Sequence, residues 1–108
     1  MKLVVVESPL AGDVERNVAY AKQAVMDCLR RGEAPYASHL FFAQEGILDD
    51  CDMTQRKLGM EAGFAWGAKA DLCAVYVDFG VSPGMRAGMD RAELLGIEVE
   101  FRLLKGDE

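Results

Sequence analysis

Short apolar runs alternate along this chain with longer segments whose apolar positions recur at helical spacing. The runs at residues 3–6 and 72–77 are continuous and rich in β-branched side chains, which is typical of strands buried on both faces of a sheet. The periodic segments predict amphipathic helices. The pattern predicts strands at residues 3–6, 34–38, 72–77 and 97–103, helices at residues 14–31, 53–68 and 84–95, and a long loop at residues 39–52.

This alternation of strands and helices predicts a parallel sheet with right-handed crossovers. We expect a small α/β fold, a flavodoxin-like or Rossmann-like three-layer sandwich with about four parallel strands and helices on both faces. The 108 residues suffice for one core and leave no room for a second, so residues 1–108 are expected to form a single domain.

Charge and composition narrow the range of partners. The chain has 12 basic and 18 acidic residues, and no basic cluster that would favour a nucleic-acid partner. No apolar run approaches the length of a membrane span, so no membrane partner is expected. The three cysteines lack metal-site spacing and indicate reduced thiols in a cytoplasmic protein. The acidic loop with Glu45, Asp49, Asp50 and Asp52 could hold a divalent cation, but its spacing fits no calcium loop, so no metal is expected. No cofactor is expected either, although sheets of this shape also hold flavin mononucleotide.

Three glycines recur every four residues in the predicted second helix, at Gly59, Gly63 and Gly67. Glycine costs up to about 1 kcal/mol in a helix interior, so this stripe needs a reason. One explanation is close packing of the helix on its own sheet. The other is a helix–helix contact with a second subunit, and the small sheet also favours a homodimer or a higher homo-oligomer.

A glycine-rich turn follows the strongest predicted strand and opens the third helix. Ser82 and the backbone N–H groups of Gly84 and Met85 would suit an anion at that helix N-terminus, and Arg86 in the first turn could reach the same anion. The alternatives are that Ser82 only caps the helix and that Arg86 is solvated. A phosphate or sugar pocket at the carboxyl ends of parallel strands is built in this way.

With these segments in order, the chain resembles the nucleoside 2-deoxyribosyltransferase superfamily, which includes nucleotide N-glycosidases and small phage and bacterial relatives. The resemblance rests on ESPLAGD at residues 7–13, WGAKADLCAVYVD at residues 66–78, and SPGMRAGMDRAELLGIEV at residues 82–99. It implies the flavodoxin-like fold and a small-molecule nucleotide or nucleoside as the partner.

The resemblance also implies a covalent mechanism, in which a glutamate on the helix after the Ser-x-Gly turn attacks the anomeric carbon. This chain has Gly88 at that position, and neither Asp90 nor Glu93 is a natural substitute. Direct attack by water would need only a general base and stabilisation of the sugar cation. The resemblance makes Asp71 and Asp78 the catalytic candidates, the alternatives being a turn residue and an ordinary loop acid.

Further ligand-binding candidates come from the first strand and from the only histidine. Ser8, Gly12 and Arg16 are expected to form the second wall of the pocket, with Gly88 beside the ligand on the first. Arg16 could instead be a surface residue. His39 closes a predicted strand and could contact a base or a phosphate, or be structural.

Three functions follow from these features. The first is an enzyme that acts on the N-glycosidic bond of a nucleotide or nucleoside, as a hydrolase or a transferase. The alternative is a non-catalytic protein that senses or sequesters a nucleotide, which Gly88 favours. The third is a structural subunit that docks a partner through its glycine face.

Overall fold

The computed structural model of the chain describes residues 1–105, which form four strands and four helices. In chain order these are β1 (Leu3–Glu7), α1 (Val14–Arg30), β2 (Ala34–Tyr36), α2 (Ser38–Phe41), α3 (Met53–Gly67), β3 (Leu72–Tyr76), α4 (Pro83–Leu94) and β4 (Glu98–Arg102). Each strand and long helix of the sequence prediction is present, with bounds shifted by a few residues at most.

All three strand pairings are parallel, and the sheet has the order β2-β1-β3-β4. The predicted four-stranded parallel α/β fold is therefore confirmed. Strand β2 lies on one side of β1, and the next strand in the chain, β3, lies on the other side. This reversal makes the carboxyl ends of β1 and β3 the switch point, where open α/β sheets form their ligand crevices.

The side chains of the two central strands alternate between two cores. Val4 and Val6 of β1 pack with Tyr20 and Ala24 of α1 on one face. On the other face, β3 packs against α4 through a second buried cluster. Helix α3 lies on this second face too, because Gly67 packs so closely on Val5 that an added Cβ atom would lie 3.2 Å from the Val5 side chain. Odd-numbered residues of β1 therefore face α3 and α4.

The segment after β2 differs from the sequence prediction. The predicted strand at residues 34–38 ends at Tyr36, and the predicted loop at residues 39–52 begins inside the short helix α2. The carbonyl of Ala37 accepts hydrogen bonds from the N–H groups of Leu40 and Phe41, which turns the chain back over the sheet. Pro35 is compatible with β2 because β2 is an edge strand.

The glycine stripe of α3 is explained within the chain. A Cβ atom at Gly63 would overlap Ser38 of α2, at 2.7 Å from its Oγ, and one at Gly67 would press on Val5 of β1. A Cβ atom at Gly59 would lie closest to Leu48, in the loop between α2 and α3. Gly67 thus packs on the sheet, as the first explanation expects, whereas Gly59 and Gly63 pack on the segment between β2 and α3, and the homo-oligomer stays a prediction.

No helix within residues 1–105 combines the length and the apolar character that crossing a bilayer requires. The cytoplasmic location stays a prediction.

A charged network ties β4 to α1 on the first face. Arg102 donates two hydrogen bonds to Glu33, at 2.7 and 2.8 Å, and one to Glu100 at 2.6 Å. It also donates to the Tyr76 hydroxyl, which in turn donates to Asp27 at 2.7 Å. The hydrogen bonds from Arg102 lower the pKa of Glu33. Because the Arg102 side chain is only 3% exposed, these partners have to replace its hydration.

We expect Arg102→Ala to lower the free energy of unfolding by about 3 kcal/mol, because it leaves the Glu33 carboxylate beside an apolar space without its partner. Urea denaturation measures the change. Lys22→Ala, at an exposed position of α1, is the control and should stay within about 0.5 kcal/mol of wild type. Equal stability of the two variants would contradict this role of Arg102.

Candidate functional site

A cavity of about 350 Å³ opens at the switch point and continues between α3 and α4. Its volume lies at the lower end of the range for small-molecule sites. Most of its walls are apolar, among them Phe64 of α3 and Met85 of α4. The polar side chains converge from several elements, and the principal ones are Glu7, Ser8, His39, Arg56, Ser82 and Arg91.

Glu7 ends β1, and strand alternation sends its side chain toward α3 and α4 with that of Val5. The carboxyl group lies directly against Gly88 in the buried face of α4. A Cβ atom at Gly88 would overlap the Glu7 carboxyl carbon and both of its oxygens. Only glycine at position 88 therefore leaves Glu7 room in this conformation.

The Glu7 carboxyl group has no hydrogen-bond or ion-pair partner among residues 1–105. Burial without such a partner disfavours the charged form and raises the pKa of Glu7 to about 8. The group is therefore mainly a neutral carboxylic acid at neutral pH. Beneath it, burial raises the pKa of the Cys73 thiol to about 12, with a smaller contribution from Glu7.

Ser8 and His39 form a pair beside Glu7. The turn into α2 brings His39 back over the end of β1, where its Nε2 lies 2.7 Å from the Oγ of Ser8. Ser8 is 6% exposed. Burial lowers the pKa of His39 to about 4, and Asp50 opposes this shift only in part. The imidazole is therefore neutral at neutral pH.

Six of the predicted ligand-binding residues line the cavity together. They are Ser8, His39, Ser82, Gly84, Met85 and Gly88. Ser82 also caps α4, since its Oγ accepts a hydrogen bond from the Met85 N–H at 3.2 Å. Ser82 therefore caps α4 and also borders the cavity, and its role in ligand binding stays a prediction.

Three other predicted ligand-binding residues lie outside the cavity lining. Gly12 has a φ of 98° in the turn before α1, a conformation that favours glycine. Arg16 stacks on the ring of Phe79, with its guanidinium carbon 4.1 Å from the ring centroid. Arg86 is exposed on α4. The surface alternatives for Arg16 and Arg86 therefore fit their positions better.

Asp71 lies at the opposite edge of the sheet from the cavity. It precedes β3, and its carboxylate accepts a hydrogen bond from the Leu3 N–H at 2.8 Å, where β1 begins. The cavity lies at the carboxyl ends of the strands, whereas Asp71 lies at the amino end of β3, so the length of the strand separates them. Asp71 therefore lies apart from the cavity, and its catalytic role stays a prediction.

Asp78 follows β3 at the correct edge but turns to the α1 face. It accepts hydrogen bonds from the Tyr20 hydroxyl at 2.6 Å and from the backbone N–H groups of Leu104 and Lys105. Burial acts to raise the pKa of Asp78, but these hydrogen bonds outweigh it and lower the pKa. Its oxygens thus bind α1 and the segment after β4, and its catalytic role likewise stays a prediction.

Three cavity residues received no role from the sequence. Glu7 carried a signal, since it is the acid at the end of an alternating strand and shares a face with Val5. Arg56 and Arg91 carried none, because helix surfaces are generally rich in arginine. The Arg91 guanidinium stacks on Phe64 at 5.4 Å from the ring centroid, which fixes both side chains at the cavity wall.

The parallel sheet and the position of its switch point define the flavodoxin-like fold of nucleoside deoxyribosyltransferases. The chain belongs to the family described as Domain of unknown function (DUF7768), whose model matches residues 2–102. No curated protein matches the chain.

Several solved structures share the fold. A 2-deoxyribosyltransferase from the psychrotolerant bacterium Bacillus psychrosaccharolyticus has a TM-score of 0.67 and 16% sequence identity, and the match covers 98% of this chain and 75% of that chain. The CMP N-glycosidase BcmB of Clostridium botulinum has a TM-score of 0.56 and 16% identity, with 94% and 71% covered. The resemblance expected from the sequence is thus confirmed at the level of the fold.

The contact between Glu7 and Gly88 predicts opposite effects of one substitution in two backgrounds. Gly88→Ala should destabilise the wild-type protein by about 1 kcal/mol, because the added methyl group forces the flexible end of the Glu7 side chain into another position. In Glu7→Ala the same change should be neutral or stabilising by up to about 1 kcal/mol, because alanine favours the helix. Urea denaturation of the four proteins measures both effects, and an equal effect in both backgrounds would exclude the contact.

The protonation state of Glu7 predicts a pH-dependent stability difference. Because the pKa of Glu7 rises from 4.5 to about 8 on folding, unfolding between these values releases a proton, and stability falls as the pH rises. Glu7→Gln lacks this loss. The melting temperature of Glu7→Gln relative to wild type should therefore increase from about pH 5 to about pH 8. His39 titrates in both proteins, so a pH-independent difference would contradict the raised pKa.

Proposed function

We propose that this protein binds a nucleoside or nucleotide in the switch-point cavity and hydrolyses its N-glycosidic bond. The observation that carries the proposal is the convergence of Glu7, Ser8, His39 and Ser82 on one largely apolar cavity at the carboxyl ends of β1 and β3. Such a cavity, with a few polar groups and perturbed pKa values, has the ordinary features of an active site. The 2-deoxyribosyltransferase and the CMP N-glycosidase of the same fold support this choice of substrate class.

The lining suits the two chemically different parts of a nucleoside. An apolar wall with Phe64 and Met85 offers contact to the planar base, and aromatic contact adds free energy beyond burial alone. The polar residues Ser8, His39 and Ser82 offer hydrogen bonds to the hydroxyl groups of the sugar or to a phosphate. With Gly84 and Gly88 they form the ligand-binding set that we propose.

A non-catalytic nucleotide-binding protein is the second candidate. Its support from the sequence was the absence of a carboxylate side chain at Gly88. In the folded chain, however, the space above Gly88 contains the carboxyl group of Glu7. The cavity thus keeps an acid group at this place, which favours hydrolysis over simple binding.

A panel of nucleosides, nucleoside monophosphates and nucleoside triphosphates tests the proposal. We expect at least one compound to release free base, detected by liquid chromatography with mass spectrometry. Recovery of the intact bound compound after long incubation would favour the binding protein instead. No release of base and no binding across the panel would reject the nucleotide-related function.

Phe64→Ala should raise the KM for the cleaved compound by about tenfold, because aromatic contact with the base contributes about 1 kcal/mol or more. Phe101→Ala is the matched control, since Phe101 is 58% exposed on β4 and outside the cavity lining. An equal KM for the two variants would place the base elsewhere.

A further inference from the structure

We propose that Glu7 is the proton donor to the departing base, and that Gly88 is the residue that makes room for its carboxyl group. This inference rests on the proposed hydrolysis of an N-glycosidic bond and names the group that drives it. The argument begins with strand geometry. Glu7 is the last residue of β1, on the strand face that borders the cavity, so its carboxyl group enters the cavity at the switch point.

Gly88 is the second part of the argument. Glycine is the least favourable residue for a helix interior after proline, yet Gly88 lies in the buried middle of α4. A side chain there would grow into the volume that the Glu7 carboxyl group fills. Glycine at this position thus serves to admit an acid from the neighbouring strand.

The surroundings of Glu7 favour the neutral acid. The titratable or charged groups that border the same cavity are Cys73 from β3, His39 from α2, Asp50 from the following loop, Arg56 from α3 and Arg91 from α4. None of them forms a hydrogen bond or an ion pair with Glu7 among residues 1–105. His39 and Cys73 are themselves neutral at neutral pH, since burial moves their pKa values to about 4 and about 12.

An uncharged carboxylic acid is suited to donating a proton rather than to attacking carbon. Glu7 transfers its proton to an acceptor atom of the base while the bond between C1′ and the base nitrogen breaks. The electron pair of that bond stays with the base, which leaves as a neutral molecule. Water adds to the sugar cation, and the proton lost by that water restores the Glu7 acid. One water is consumed, and no other reactant is needed.

Turnover of two substrates with different leaving groups tests this role. Glu7→Gln keeps the shape of the side chain but cannot donate an acidic proton, so release of a natural base should fall by about 100-fold or more. A 4-nitrophenyl riboside has a leaving group that needs no protonation, and its hydrolysis should fall by less than about tenfold. The exposed Glu93→Gln on α4 is the control and should hydrolyse both substrates like wild type.

Relocating the carboxyl group gives a second, independent test. Glu7→Ala should be as inactive on the natural substrate as Glu7→Gln. Glu7→Ala/Gly88→Glu should recover about tenfold or more, because the first atoms of the new side chain fill the volume that the Glu7 carboxyl group leaves and its own carboxyl group extends from there into the cavity. With wild type, kcat/KM should decline as the pH rises through about 8. This decline should be absent in Glu7→Gln.

The outcomes separate this inference from the proposed function. If wild type releases base and Glu7→Gln does so equally well, Glu7 is not the donor although the function stands. If Glu7→Gln loses both substrates to the same degree, or activity rises with pH through about 8, Glu7 acts as an ionised nucleophile and the proton-donor role is overturned. If wild type releases no base from any compound, the proposed function itself fails.

Discussion

The contact between the Glu7 carboxyl group and the backbone of Gly88 is the constraint on which the cavity depends. Glycine at position 88 lets the Glu7 carboxyl group lie against α4, because any side chain there would displace this end of the Glu7 side chain. The half-buried carboxyl group has no hydrogen-bond or ion-pair partner among residues 1–105. Such a group lowers stability at neutral pH, since its proton is lost on unfolding. Unfavourable burial of this kind is common at functional sites.

The two faces of the sheet differ in how far their polar side chains are paired by hydrogen bonds. On the α1 face, Arg102 and Asp78 each form several hydrogen bonds. These bonds connect β4 and the following segment to α1 and to the residues that follow it. On the α3 and α4 face, Glu7 has no such partner within residues 1–105, and the pair of Ser8 and His39 borders the cavity. The first arrangement supports a rigid scaffold. The second leaves hydrogen-bonding capacity for a ligand, as a binding site requires.

The architecture could be predicted well from the sequence, because the spacing of apolar residues along a strand or a helix indicates which face is buried. It could not reveal α2, which has only one turn and no periodicity of its own. The direction of β3 already placed Asp71, which precedes the strand, at the far edge of the sheet from the cavity. The turn of Asp78 toward Tyr20 depends on tertiary contacts that no local pattern encodes. The same holds for the meeting of Glu7 with Gly88.

Gly88 suggests from the sequence that this point of the cavity lacks a carboxyl group, whereas the folded chain has one there. Taken alone, it indicates that the catalytic side chain of the resembled superfamily is missing. In three dimensions the volume above it contains a carboxyl group supplied by β1. A fold can keep an acid at one point of a cavity while changing the element that carries it, because only the position of the reacting group matters to the chemistry. A change of carrier also changes the surroundings of the acid. Desolvation raises the pKa of Glu7 to about 8, and no cationic side chain within residues 1–105 pairs with it, so the protonated form is favoured.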